Sequence, residues 1–511
     1  MATGTSTAAR PREAERPRSA AAAPIRTGAP NRATAPIRTG ALSRLRAAVL
    51  GSTPRQVRTL TVTALTTVLV FAAVVGTVLS GTRDSTDAIG LRAAPQAVRA
   101  ADLYFALSDL DAQAANLLLV GADQDHFAQR KAVSDLYNQR RAQADADLEQ
   151  ATEAAAGDPG ARRTVSGLLD ALGQYEALVA RSDLQETVAK AAPGQPPADA
   201  LVSYQQATDL LRQELLPAAD QVAGDNEATV TRIYAGQRAD LGKGRTWLLV
   251  TGLLALGALG ALQRTLTVRY RRRVSPPLVG ALLLTAIGLG YGLTLAADAQ
   301  DQLHTAKANA YDSVIALGRA RAVAYDSNAD ESRWLVDHNR AAAYQQSFFD
   351  KTQQIVRLDG TTLNSYDDAL AKVVDAHRAS PRVLGFTGYL GDELRNVTFP
   401  GEQQAADRVL TAFQTYQRDD RRIRVLQQQG RLGEAIAFDT GTAEGQSNGD
   451  FAQLSDAFDK VIAINQQAFD RTVRQSDAEL GAGAAVWLAL LVAGTLALTV
   501  LAVRPRLREY R

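Results

Sequence analysis

The run Thr59-Leu-Thr-Val-Thr-Ala-Leu-Thr-Thr-Val-Leu-Val-Phe-Ala-Ala-Val-Val-Gly-Thr-Val-Leu-Ser-Gly81 carries no charged residue. As a helix rising about 1.5 Å per residue it crosses a hydrocarbon core of about 30 Å. Three further runs share this character: Thr246–Gln263, Val274–Ala297 and Ala484–Val503. Leu79-Ser-Gly81 would suit a signal peptidase, but the apolar region is too long for a signal peptide and is preceded by a long basic stretch, so the run reads as an uncleaved anchor.

The charges sort around these four runs. Before Thr59 there are eleven Arg against Glu13 and Glu15; Arg264, Arg269, Arg271, Arg272 and Arg273 lie between the second and third runs with no acid; Arg504, Arg506, Arg508 and Arg511 follow the fourth against Glu509. These pieces hold 20 basic and 3 acidic residues, leaving 36 basic and 51 acidic in the two long segments, so a bland net charge of +2 conceals a split of +17 and −15. The positive-inside rule places both termini and the short loop in the cytoplasm and both long segments outside the plasma membrane. The expected organisation is a disordered Arg-rich tail (1–58), a first span (59–81), a first outer segment (82–245), a second span (246–263), a basic loop (264–273), a third span (274–297), a second outer segment (298–483), a fourth span (484–503) and a tail (504–511).

That layout excludes several function classes. No cytoplasmic piece is long enough to bury a core, so neither a kinase domain nor a nucleic-acid-binding domain is expected. With no Cys in the chain, disulfides and thiolate chemistry are excluded. His126, His304, His338 and His377 form no pair at ligand spacing, so no metal or other cofactor is expected. No phosphate-binding glycine loop or serine nucleophile motif is present, and the expectation is a non-enzymatic protein.

Both long segments read as helical. Leu103, Leu107, Leu110, Ala114 and Leu117 step by 4, 3, 4 and 3, and Val165, Leu168, Leu172, Tyr175 and Val179 repeat that seam. Breaks at Gly121–Asp125, Gly157–Gly160 and Pro193–Pro197 leave four long helices. The second segment follows the same plan, with helices near 298–337, 340–376, 401–430 and 450–483. Its insert, Ala379–Pro400, is read either as a small satellite core or as a contact of Phe386, Tyr389 and Leu390 with lipid headgroups. The predicted fold class is all-α, with two tandem up-down four-helix bundles, each continuous with two transmembrane helices.

The two halves are copies. A shift of 239 aligns Leu215, Ala218, Asp220, Val222, Asn226 and Arg232 with Leu454, Ala457, Asp459, Val461, Asn465 and Arg471; a shift of 210 aligns Asp102, Ala106, Leu107, Ala112 and Ala114 with Asp312, Ala316, Leu317, Ala322 and Ala324. Parallel repeats of this kind are related by an axis along the membrane normal, as if a dimer of two-span sensors had been fused. Trp247 and Trp487 occupy equivalent interfacial positions.

Three groups of residues are functional candidates. Asn226 and Asn465 occupy equivalent seam positions, where a lone Asn fixes register or relays movement. Arg319, Arg321, Arg333 and Trp334 offer a carboxylate clamp beside an aromatic wall, with plain surface arginine as the alternative. Arg264, Arg269, Arg271, Arg272 and Arg273 would meet anionic lipid or a cytoplasmic partner. The remaining acidic residues alternate with Arg and Gln, a pattern expected of solvated faces. The turns at the far tips suit protein docking.

The run Gly430-Arg-Leu-Gly-Glu-Ala435, before a final helix rich in Gln, Asn and Phe, resembles the four-helix-bundle ligand-binding domain of bacterial chemoreceptors and sensor kinases. Two such bundles, four spans and an Arg-rich N-terminus resemble actinobacterial membrane proteins of the GlnX type. That resemblance implies an amino-acid-binding lipoprotein, GlnH, outside and the Ser/Thr kinase PknG inside. The cytoplasmic signalling domain that chemoreceptors place after their last span is not seen here, so output through a partner is expected. The expected function is a signal transducer that senses an extracytoplasmic solute or solute-binding lipoprotein; the alternative is a scaffold organising envelope proteins.

Overall fold

The computed structural model describes residues 53–269, 274–479 and 481–508. The expected disordered tail lies almost wholly outside the described residues, as do Arg271, Arg272 and Arg273. Among the described residues the chain is helical, without a strand; one isolated antiparallel bridge joins Arg357 and Thr387.

The first hydrophobic run belongs to a helix that continues past the apolar boundary. Helix α1 (Thr53–Asp87) passes through a π-helical stretch, Ala88–Ala93, into α2 (Ala94–Val120). Gly121 ends α2 in the left-handed region at φ 75°, where a Cβ would lie 2.7 Å from the Ala191 carbonyl oxygen. Arg130 closes this end, its Nη1 donating to the carbonyls of Leu117 at 3.1 Å and Gly121 at 2.6 Å. The Gly121 carbonyl lies past the last turn, where the helix itself supplies no donor, while the Leu117 carbonyl also accepts the Gly121 amide at 3.3 Å.

Then come α3 (Phe127–Ala154), α4 (Pro159–Ala189) and α5 (Ala198–Leu210). Asp158 caps α4 by accepting from the amides of Gly160 and Ala161, and Pro159 supplies a first-turn residue that needs no donor. After a π-helical stretch at Leu211–Leu215, α6 (Leu216–Arg269) runs back through the second apolar run.

The second half repeats this plan. Helix α7 (Pro276–His304) passes through a π-helical stretch, Thr305–Tyr311, into α8 (Asp312–Val336). The single helix expected over 340–376 is instead two, α9 (Ala341–Ile355) and α10 (Leu363–Ala379). Between them Gly360 takes φ 73°, and Thr362 and Ser365 form a reciprocal capping box that starts α10. The insert forms α11 (Tyr389–Asn396), whose Phe386 and Leu390 neighbourhood is a core shared with Ile355, Val356 and Tyr366. Of the two readings of the insert, the packed core is the one observed for these side chains. Helices α12 (Glu402–Gln428), α13 (Leu432–Asp439), α14 (Ser447–Glu479) and α15 (Ala482–Arg508) complete the described chain.

The two halves share a core. Equivalent helices α2 and α8 lie against each other, and one apolar cluster joins Leu107, Leu110, Leu172 and Tyr204 of the first half to Trp334, Leu335, Ile436 and Phe438 of the second. Residues 105–121 and 322–337 are buried on every face. Their many Ala, Ser, Asn and Asp side chains are short enough for the two backbones to approach closely. A helix surrounded in this way has no solvated side, so separate tandem bundles are not what the packing shows.

In the apolar region, Val68, Phe71, Leu248, Leu259, Leu289 and Leu488 share another core, while Leu69, Leu253, Leu254, Ile287 and Leu490 face outward. Apolar side chains on the outside suit a lipid surround. Gly252 lets α6 meet α7 closely, since a Cβ there would lie 2.7 Å from the Leu289 side chain. Four helices are long and apolar enough to cross a membrane, and the chain is a multi-pass membrane protein. Just beyond the apolar runs, Ile89 and Ala93 of one π-helical stretch and Ala306, Ala310 and Tyr311 of the other pack with Val230, Phe469 and Val473. All four membrane-continuous helices therefore meet in one small core.

Candidate functional site

The polar heart of the molecule lies where α2 and α8 meet. Arg333, on the last turn of α8, has a fully buried side chain, a position that only a well-paired cation can hold. Its Nη2 donates to Asp111 of α2 and its Nη1 to Asp330 and, at 3.3 Å, to Asp326. Its Nε donates to the Tyr204 hydroxyl of α5 at 3.1 Å. Asp111 also accepts from Tyr175 at 2.9 Å and Thr208 at 3.0 Å. Lys351 of α9 pairs with Asp326 at 2.6 Å and Asp330 at 2.5 Å, and Arg212 lies 3.9 Å from Asp330. Three cations thus balance three carboxylates across the boundary between the halves. Lys351 and Arg333 hold the Asp326 carboxyl well below the usual range, against the opposing effect of burial.

The other α8 arginines also reach across. Arg319 pairs with Glu227 of α6 at 3.1 Å. Arg321 pairs with Asp102 of α2 and Asp459 of α14, and its guanidinium stacks 3.9 Å over the Phe105 ring. The four residues expected to form a ligand clamp therefore do not converge on one pocket. Each arginine is committed to a carboxylate of the first half, and Trp334 is buried in the shared core.

A second polar group sits nearer the tip of the second half. Glu331 accepts from Tyr416 at 2.7 Å, and its other oxygen has no partner; both carboxylate oxygens of Asp439 are buried without one. Burial pushes the Glu331 carboxyl well up and that of Asp439 up to about 7. Asp419, buried beside Asp450, is likewise pushed up to about 7. Burial lowers nearby Arg424 to about 10. These groups sit in a pocket of protein that favours the neutral acid. Among the described residues no group of three or more His, Cys, Asp or Glu is arranged to hold a metal ion.

The seam asparagines occupy different surroundings. Each donates to the carbonyl four residues before it, Asn226 to Val222 at 3.0 Å and Asn465 to Val461 at 3.2 Å. Asn465 is wholly buried and also faces Glu393 of α11 at 3.4 Å. Asn226 lines an open groove of about 1050 Å³ bounded by α2, α3, α4 and α6. Arg264 is exposed on α6, and Arg269 ends that helix.

Sequence reading missed Asp111, Tyr204, Asp326, Asp330, Lys351, Glu331 and Asp439 as members of buried networks. One signal was available: residues 105–121 contain acids but no Lys, Arg or Glu, an unusual composition for a solvated helix face. Comparison with known proteins adds one similarity. No curated protein and no solved structure matches the chain. Residues 85–235, which include α2 to α5, the part of α6 before its apolar run and the groove, match the family model described as an actinobacterial sensor domain. That segment is similar to an actinobacterial sensor domain, and it lies in a multi-pass membrane protein.

Proposed function

We propose that this protein is a non-enzymatic transmembrane signal transducer. Its two copies, outside the plasma membrane, engage a solute or a solute-loaded binding lipoprotein, and its cytoplasmic ends act on a signalling partner such as a Ser/Thr kinase. The observation that carries this reading is the junction core, where all four membrane-continuous helices meet, two of them through the π-helical stretches Ala88–Ala93 and Thr305–Tyr311. A change in packing between the halves has a direct mechanical route into the spans. π-helical stretches often mark functional sites because their register is readily altered. The arginines at the inner ends, Arg264 and Arg269 among them, would meet anionic lipid or the partner. No nucleic acid enters this scheme.

The Cys-free background makes a test practical. A Cβ built at Gly90 lies 3.3 Å from the Val473 Cβ, close to the separation a disulfide needs. Gly90→Cys with Val473→Cys is expected to cross-link spontaneously. Its rate should change severalfold when the cognate solute or binding protein is added to membranes. A rate constant across all twenty amino acids and across periplasmic or cell-surface binding proteins would favour a scaffold instead.

A further inference from the structure

The two halves differ at one equivalent place. In the second half, α11 lies between α8, α12 and α14. Its Asn396 donates to the carbonyls of Ala308 and Asn309 and to the Ser313 hydroxyl, and its Glu393 faces Asn465. The repeat shifts carry Asn309 to Arg99, Ser313 to Leu103 and Asn465 to Asn226. All three of these first-half residues line the open groove. Glu402, beside Glu393, is in the first turn of α12, and Gly160 and Ala161, in the first turn of α4, line the groove at the corresponding end. The groove is therefore the seat that α11 fills in the other half, left empty because the first half has no insert between its second and third helices.

We propose that this groove receives a short helix of an extracytoplasmic partner protein, one with a carboxylate on its inserted face. Size supports a helix. Two turns of helix about 10 Å across and about 12 Å long occupy roughly 900 Å³, close to the groove's 1050 Å³. Chemistry supports the carboxylate. Where Glu393 meets Asn465 in the second half, the groove offers the Asn226 amide, in a lining that holds Arg99 and Arg232 but also Asp147, Asp158 and Asp225, so the Asn226 amide is the donor that matches the carboxylate. Recognition by helix insertion uses side chains spaced along one face, as α11 does with Leu390, Glu393 and Leu394, all buried. The inference rests on the sensor reading for its partner being outside the cell, whereas the groove's fit to a helix does not depend on it.

The probe is a peptide with the sequence of residues 386–399, blocked at both ends, added to the full chain in lipid nanodiscs. Ala154→Cys and Ala228→Cys, both exposed on the groove wall, report occupancy through their rate of maleimide labelling. The peptide is expected to slow labelling at both positions. Replacing the glutamate of the peptide by alanine, or Asn226 of the protein by leucine, should weaken protection about tenfold, as loss of a central contact does. Unchanged helicity by circular dichroism would show that the variants are folded. Unchanged labelling with peptide, or equal protection by a scrambled peptide, would overturn the proposal. Protection by single amino acids but not by peptide would make the groove a small-solute site and overturn it as well. Peptide protection without any change in Gly90–Val473 cross-linking would count against signal relay while leaving helix docking intact.

Discussion

Arg333→Met is expected to destabilise the protein by about 3–5 kcal/mol, the cost of leaving buried charges uncompensated. The variant keeps most of the volume but leaves Asp111, Asp326 and Asp330 facing only Lys351 and the more distant Arg212. Asp111→Leu should cost a similar amount by stranding Arg333 and the hydroxyls of Tyr175 and Thr208, which donate to that carboxylate. The double variant removes one charge of each sign and leaves Lys351 and Arg212 against Asp326 and Asp330. It should therefore be more stable than the sum of the single effects by about 2 kcal/mol or more, the coupling expected of residues in direct contact. Thermal melts followed by helicity in a fixed detergent would measure the cycle. Simple additivity would mean that the network does not join the halves.

The second large effect concerns pH. Asp439 is buried near Glu331 and Ser332 of α8 and Tyr416 of α12, and burial pushes its carboxyl up to about 7. In an unfolded chain the group titrates near 4. Because the folded state binds the proton more tightly, stability from this group is full below about pH 4 and is lost as pH rises through about 7. Glu331 and Asp419 shift in the same direction. The depressed carboxyl of Asp326 has the opposite linkage, but its window lies at much lower pH. Melting temperature should accordingly fall between pH 5.5 and 8. Asp439→Asn, which mimics the neutral acid, should flatten that fall and raise stability at pH 8 by on the order of 2–4 kcal/mol, from about 1.4 kcal/mol per pKa unit. An unchanged pH profile in the variant would place the proton elsewhere.

These networks mark the limit of what the sequence makes legible. The four apolar runs, the Gly and Pro breaks and the duplication are local signals, and they locate the spans and most helix ends. Asp158-Pro159 starts α4 and Gly121 ends α2 for reasons visible within a few residues. The Asp359-Gly360 turn that divides α9 from α10 is a local signal of the same kind. Asp111 and Arg333 are a different case. They are 222 positions apart, and each on its own helix resembles a solvated charge. Only the packing of α2 on α8 makes them partners. The seam asparagines show the same limit: the duplication makes them equivalent, yet α11 buries one while the other lines a groove.

The central claim, that the packing of the outer segments is coupled to the cytoplasmic ends, can be tested with paired spin labels. Arg264→Cys on α6 and Arg504→Cys on α15 are both exposed, and pulsed electron paramagnetic resonance would give the distance between them in nanodiscs. The measurement would be made with no addition, with the 386–399 peptide, with each of the twenty amino acids, and in an Asp111→Asn background that perturbs the junction of the halves without any ligand. Coupling predicts a displacement on the order of 1–2 Å, typical of helix shifts in switching proteins, in at least the Asp111→Asn background. Superimposable distance distributions under every condition would contradict it.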